Sequence, residues 1–269
     1  MSETSTPPRI LAIAGSDSSG GAGIQADIKT ITMLGGYAMT ALTAATAQNS
    51  VGVTAIAPME ADFVAKQIRA CVDDIGVDAV KIGMLHDAQI IAAVAGELEG
   101  LAGNVPIILD PVMVATSGAK LIDETAVDAM RDTLFPMAAL LTPNLPELEL
   151  LTGAKPVGTE AIGDAAMVLA REYGCHVLAK GGHADGDRIV DLLIDENRAV
   201  AFDHARIETA HTHGTGCTLS SAIATMLGHG QPLEHAVRLG RQFVLEAIRN
   251  APGFGAGNGP LGHQAVRKL

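Results

Sequence analysis

The residues best suited to chemistry crowd into a few short segments. The densest is HTHGTGCTLSSAIATML at 211–227. Gly214, Thr215 and Gly216 stand immediately before a helical pattern. Glycines there let backbone N–H groups converge on one point, and the helix dipole adds partial positive charge. That is the design of an anion hole. The plainer reading is a glycine-rich turn with Thr215 as helix cap. Cys217 falls in the first turn of the same helix. A thiol at a helix N-terminus has a lowered pKa and serves as base or nucleophile. A lone cysteine more often packs a helix, but its place directly after an anion-binding loop favours the chemical reading. Cys71, on an apolar helical face, and Cys175, at the start of a strand pattern, read as core.

Three further segments end in groups that suit phosphate or metal. In ILDPVM (108–113), Asp110 ends a buried strand pattern and Pro111 fixes the turn out. Such an Asp often does no more than make a turn. In LLTPNLPELELLTG (140–153), Asn144 suits a helix cap with Glu147 three residues on as its capping-box partner. Taken with Asp110, however, Glu147 makes a second strand-end carboxylate, and magnesium takes a few carboxylates plus water and phosphate oxygens. In VLAKGGH (177–183), Lys180 ends a strand pattern before two glycines. A strand-end Lys is usually solvated; at a phosphate site it neutralises the transferring group. His211 and His213 suggest a metal, but no third ligand stands beside them.

Near the N-terminus, AIAGSDSSGGAGIQADIK (12–29) runs from a strand through Gly15, Gly20, Gly21 and Gly23 into a helix. Gly21, Gly23 and Ala26 fit G-x-G-x-x-A, which raises a dinucleotide fold and an oxidoreductase. The glycines begin too far past the strand, and no acidic residue ends the next strand. The GK[ST] of a P-loop is also missing. A Gly/Ser loop that lets backbone approach a flat substrate fits better.

These segments need strand ends to hold them. Strand patterns lie at 9–15, 39–46, 52–57, 79–85, 106–112, 138–144, 176–182, 189–195 and 200–207. Helical patterns lie near 21–35, 60–75, 87–100, 123–135, 145–152, 160–173, 215–229 and 233–250. Alternation of this kind predicts βαβ crossovers and a mostly parallel sheet. IVDLLID and VAFDHARI lack a helix between them and read as an antiparallel hairpin. Ligands of open α/β sheets bind beyond the carboxyl ends of the strands, where Gly, Asp, Asn, Thr and Lys gather here.

Composition narrows the classes. The chain has 269 residues, 48% of them hydrophobic, with five Phe, two Tyr and no Trp, so an aliphatic core is expected. Its length suits one large α/β domain over 1–269, with residues 1–8 flexible. Lys and Arg number 18 against 30 Asp and Glu, a net charge of −12, with no basic cluster. Nucleic acid is therefore not an expected partner. No apolar run approaches the ~20 residues of a membrane helix. No secretory signal is visible, and three scattered cysteines suit a reducing cytoplasm.

Together AGSDSSGGAGIQADIK, TAQNSVGV, KIGML, LDPVMVATSG, LTPNLPE, AKGGH and HTHGTGCTLSSAI resemble the ribokinase superfamily over about residues 9–250. The resemblance is closest to its vitamin-kinase branch, the hydroxymethylpyrimidine/phosphomethylpyrimidine kinases of thiamine biosynthesis. It implies a three-layer α/β/α fold and ATP-dependent phosphorylation of a small hydroxymethylpyrimidine, then of its monophosphate, with Mg²⁺. Cys217 then matches the base, Gly214–Cys217 the anion hole, and Lys180 the phosphate-binding lysine. Asn144, Thr215 and Gly216 fall at the nucleotide phosphates, and Asp110 and Glu147 near magnesium. Gln48 matches the side chain that reads the aminopyrimidine edge, while Gly15, Asp27 and Met84 line the same pocket. The resemblance also implies a homodimer. The tail GNGPLGHQAVRKL departs from the histidine-rich ending expected of the family. Residues 112–121 are the candidate flap that excludes water. A pyridoxal kinase of the same fold and a non-catalytic pyrimidine sensor are the alternatives; retention of Lys180, Asp110, Glu147 and Cys217 disfavours the sensor.

Overall fold

Every strand and helix pattern has its counterpart in the computed structural model, which describes residues 6–113, 122–183 and 186–266. The strands are β1 (Arg9–Asp17), β2 (Tyr37–Gln48), β3 (Val53–Pro58), β4 (Ala79–Ile82), β5 (Ile107–Leu109), β6 (Leu140–Leu141), β7 (His176–Ala179), β8 (Arg188–Ile194) and β9 (Ala199–Ala205). The helices are α1 (Gly23–Met33), α2 (Ala61–Asp74), α3 (Ala88–Leu98), α4 (Glu124–Thr133), α5 (Leu145–Thr152), α6 (Gly158–Tyr173), α7 (Thr215–Gly228) and α8 (Leu233–Arg249). Among the described residues, nine strands form one sheet in the order β3-β2-β1-β4-β5-β6-β7-β8-β9.

From β2 through β7 the neighbours run parallel. The expected β8–β9 hairpin is present. Two more antiparallel pairs, β2–β3 and β7–β8, were not singled out by sequence. Their connections, 49–52 and 180–187, are too short for a parallel crossover, which takes a dozen or more residues.

Strands in such a sheet are buried on both faces, and alternate residues feed two cores. Leu11, Ile13, Val80, Ile82 and Leu109 pack with apolar residues of α2, α3, α4, α5 and α6. Ile10, Ala12, Ile108, Leu140 and Leu178 pack with α1, α7 and α8. The result is three layers, helices on both faces of a mostly parallel sheet.

Expected strands that ran to 85, 112, 144 and 182 stop earlier, at Ile82, Leu109, Leu141 and Ala179. Asp110, Asn144 and Lys180 lie just past those ends, where the chain leaves the ladder. Of the start expected to be flexible, Pro8 is buried and its carbonyl accepts the Tyr37 amide at 2.8 Å. Residues 1–5 lie outside the described residues, as do 114–121 of the candidate flap. After α8 the chain turns back. Gly262 N–H donates to Ala247 O at 2.8 Å, Gly259 O accepts from His213 N–H at 3.1 Å, and Gly257 N–H reaches Ser50 Oγ at 3.3 Å. The segment thereby ties α8 to the loops at 49–52 and 211–213. Among the described residues no helix is long and apolar enough to cross a membrane.

Candidate active site

One cavity of about 730 Å³ opens at the carboxyl ends of the parallel strands. Gly15, Gln48, Met84, Asp110, Asn144, Glu147, Lys180, Gly214, Thr215, Gly216 and Cys217 all line it.

Its charged floor comes from β5, β6 and β7. Lys180 Nζ donates to Asp110 Oδ1 at 2.7 Å, and Thr142 Oγ1 donates to the same oxygen at 3.1 Å. Asn144 caps α5: its Oδ1 accepts the Glu147 amide at 2.9 Å, and Glu147 Oε2 accepts the Asn144 amide at 2.9 Å. Glu147 Oε1 takes the Met113 amide at 3.2 Å. The capping box is therefore real, yet it also aims Glu147 inward, where it is only 2% exposed. Asp110 is equally buried. Burial lifts the Glu147 carboxyl above its ordinary value; Lys180 opposes this and Asp110 adds to it. Burial disfavours the Lys180 ammonium, but Asp110 and Glu147 outweigh it and raise its pKa. Two carboxylates thus face one ammonium. Asp110 Oδ2 takes no hydrogen bond among the described residues. They hold no cluster of three or more His, Cys, Asp or Glu suited to a metal, so an ion here would draw other ligands from water or phosphate.

The start of α7 closes the floor. Gly214 adopts φ 85 and is the helix N-cap, and a Cβ there would collide with the Gly21 carbonyl. Thr215 is not the cap; it is the first helical residue, and no side chain caps this helix. A Cβ on Gly216 would lie 3.1 Å from Asp110 Oδ2 and 3.3 Å from Lys180 Nζ, so glycine lets the helix start approach the ion pair. The Gly216 and Cys217 amides have no acceptor among the described residues, and unpaired amides at a helix start suit an anion.

Cys217 overturns the expected lowered pKa. Burial pushes its thiol up to about 11; Asp27 and Asp110 add to the rise, while Lys81 and the Gly23 amide oppose it. The helix N-terminus is present, but desolvation at the cavity floor wins. Only about 10⁻⁴ of the thiol is ionised at pH 7 with such a value. Cys71 is half-buried against the core and Cys175 is buried, as expected.

At the other end of the cavity Gly15, Met84 and Gln48 are uncharged, with Asp17 beside them. Gly15 lies against Met84, and a Cβ there would strike the Met84 methyl. Gln48 reaches in from the end of β2 beside Thr46 and Val53. Asp17 draws the 17–22 loop tight through the Ser19, Gly21 and Ala22 amides and the Ser19 hydroxyl. Its Oδ2 also pairs with His213 Nε2 at 2.8 Å.

Asp27 is a correction: it does not line the cavity. It is fully buried behind it, 2.9 Å from Lys81 Nζ through both oxygens and 2.7 Å from Ser221 Oγ. Sequence reading missed Lys81 and the Asp17–His213 pair. A lone Lys inside the aliphatic run AVKI was the available signal, since a buried Lys demands a partner. The cavity is also lined by Ile189, Ile207, Leu219, Val244 and Ile248. Arg241 lines it too, donating to Asp191 Oδ2 at 2.7 Å and to His204 Nδ1 at 2.6 Å.

Known proteins resemble this chain in sequence and fold. Residues 17–262 match the family model described as phosphomethylpyrimidine kinase. A thiamine biosynthesis bifunctional protein, ThiED, of Geobacter sulfurreducens is 48% identical over 254 residues; the match covers 94% of this chain and 52% of that protein, about half its length. A hydroxymethylpyrimidine/phosphomethylpyrimidine kinase of Mycobacterium leprae is 46% identical, covering 95% of this chain and 94% of its own. Among solved structures, the pyridoxal kinase from Staphylococcus aureus in complex with AMP-PCP and pyridoxal superposes with a TM-score of 0.88 at 34% identity, covering 98% of this chain and 96% of that one. With a family match that spans the charged floor and the start of α7, this ribokinase-like chain belongs to the phosphomethylpyrimidine kinase family.

Proposed function

We propose that the chain transfers the γ-phosphoryl group of ATP to the hydroxymethyl group of 4-amino-5-hydroxymethyl-2-methylpyrimidine. A second transfer converts the monophosphate to the diphosphate, for thiamine biosynthesis in the cytoplasm. The observation that carries this reading is the meeting of Lys180, Asp110 and the α7 amides in one cavity with Gln48, Gly15 and Met84.

Phosphoryl transfer asks chiefly for positioning and charge neutralisation. Lys180 and the Gly216 and Cys217 amides would absorb charge on the moving group. Asn144 has its Oδ1 engaged as a cap, and its Nδ2 is available to a phosphate oxygen. Magnesium fits beside Asp110 and Glu147, because two buried carboxylates face one ammonium and Asp110 Oδ2 is unbonded. Bound there, it would neutralise phosphate charge. The apolar lining residues Ile189, Leu219 and Val244 suit a flat nucleobase.

Cys217 is the base candidate for the alcohol. Its raised thiol makes that service grow with pH, since the thiolate alone can take the proton. The second acceptor is a phosphate already largely ionised near neutrality, so a base matters less there. Gln48 offers a donor and an acceptor to the aminopyrimidine edge, and Gly15 and Met84 line the same cavity. A homodimer fits the exposed Val51 and the edge strand β3, whose outer residues are exposed too.

The likeness to a pyridoxal kinase favours a second reading, pyridoxal as acceptor. Incubation with ATP, magnesium and each alcohol in turn, followed by ADP release, separates them. Turnover of the aminopyrimidine should far exceed that of pyridoxal and ribose; equal turnover of ribose would sink the proposal.

A further inference from the structure

The Gln48 carboxamide sits between two neighbours that decide which of its ends faces which way. Thr46 Oγ1 lies 2.9 Å from the Ser16 carbonyl oxygen and 3.0 Å from Gln48 Oε1. At the other end, Gln48 Nε2 lies 3.4 Å from His213 Nε2, which is 2.8 Å from Asp17 Oδ2. A hydroxyl has one proton, and a carbonyl has only lone pairs. Thr46 therefore donates to Ser16 and shows a lone pair to Gln48. Asp17 accepts four other hydrogen bonds. Burial favours its neutral form, but those bonds and His213 hold it below its ordinary value as a carboxylate. Having no proton to give, it makes His213 Nε2 the donor of their pair.

As placed, Gln48 sets lone pair against lone pair at Thr46 and N–H against N–H at His213. A half-turn of the amide gives Thr46 a donor and ends the N–H against N–H contact at His213, whose one Nε2 proton stays with Asp17; oxygen and nitrogen of an amide are told apart only by such a network. The nitrogen then faces Thr46 and the oxygen faces His213.

We infer that Thr46 is a positioning residue for specificity: its hydroxyl holds the Gln48 carboxamide one way round and so fixes the orientation of the pyrimidine edge. The inference rests on the proposed pyrimidine substrate. The free N–H of Gln48 meets the ring nitrogen, and its oxygen meets the 4-amino group on the His213 side. The 5-hydroxymethyl group is next to the amino-bearing carbon, so it falls on that side too. His213 directly precedes Gly214, so the alcohol is sent toward the start of α7, where the phosphoryl group would be held.

The test pairs Thr46→Val with two acceptors, the 4-aminopyrimidine and its 4-oxo analogue, whose edge shows the reverse donor and acceptor order. Loss of one such hydrogen bond is worth about fivefold. Thr46→Val should lower kcat/KM for the amino substrate by about that factor, mainly through KM. The oxo analogue should gain or hold, because the freed amide can turn. Thr46→Ser should restore the wild-type ratio. Equal losses on both acceptors, or an unchanged ratio, overturn the inference while the proposed function stands. A wild-type enzyme that does not phosphorylate the aminopyrimidine sinks both. A measurement on wild type guards against a variant that fails to fold. In the unliganded protein one Gln48 side-chain N–H, the one bonded to Thr46, should exchange with solvent more slowly than its twin. Equal, fast exchange of both contradicts the inference.

Discussion

The two ends of the cavity are built by opposite means. At the floor, Lys180, Asp110 and Glu147 are charged groups on three different connections: Asp110 and Lys180 are fixed where a buried strand stops, and Glu147 in the first turn of α5. At the acceptor end, Gly15, Met84 and Gln48 are uncharged, and shape and amide orientation do the selecting. Charge placed on rigid strand ends can stabilise any transferring phosphoryl group. A neutral, shaped end can choose among alcohols without disturbing that charge. The division predicts that rate and specificity are separable by mutation.

Lys180→Met should break the floor most. It removes the cation from beside two buried carboxylates and from the transferring group, and kcat should fall by about 10³-fold. Steady-state kinetics should show the KM for the alcohol nearly unchanged. A KM that climbs as steeply as kcat falls would mean the two ends are not separate.

Glu147→Gln sharpens the comparison from the metal side. Glutamine still completes a capping box, so thermal melting should change little. Turnover and apparent magnesium affinity should drop by about 10–100-fold. A lower melting temperature with intact turnover would make Glu147 a cap and nothing more.

A smaller effect, on stability alone, is expected behind the floor. His263 is 1% exposed and its Nε2 is 2.8 Å from Thr218 Oγ1 in the first turns of α7. Burial, with nearby Lys29, holds its pKa down to about 4, against 6.5 for an ordinary His. The unfolded chain protonates first, so stability present above pH 6.5 is lost as pH falls toward 4, up to about 3 kcal/mol. Urea unfolding across that window should show the loss in wild type and much less of it in His263→Gln. Parallel curves would remove His263 from the support of α7.

The floor was legible in the sequence because its logic is local. An aliphatic run that stops at Asp110, Asn144 or Lys180 announces a strand end, and glycines before a helical pattern announce exposed amides. What was not legible depends on distant partners. Asp27 reads as a pocket residue until the sheet brings Lys81 to it, 54 positions away. AVKI is apolar on both faces, so its alternation does not say which way Lys81 points. Asp17 and His213 are 196 positions apart. The sign of the Cys217 shift failed for the same reason: a helix N-terminus is visible in sequence, whereas the desolvation that outweighs it is a property of the packed cavity.

Single-turnover phosphorylation of the alcohol and of its monophosphate, run separately for wild type and Cys217→Ala across pH, tests the account most directly. In wild type the first transfer should accelerate with pH, up to tenfold per unit, as the thiol approaches its pKa of about 11. Cys217→Ala should flatten that dependence and slow the first transfer by about 10²-fold or more, while the second transfer changes far less. A variant that phosphorylates the alcohol at the wild-type rate, with the wild-type pH profile, would show that Cys217 only packs the helix and takes no proton.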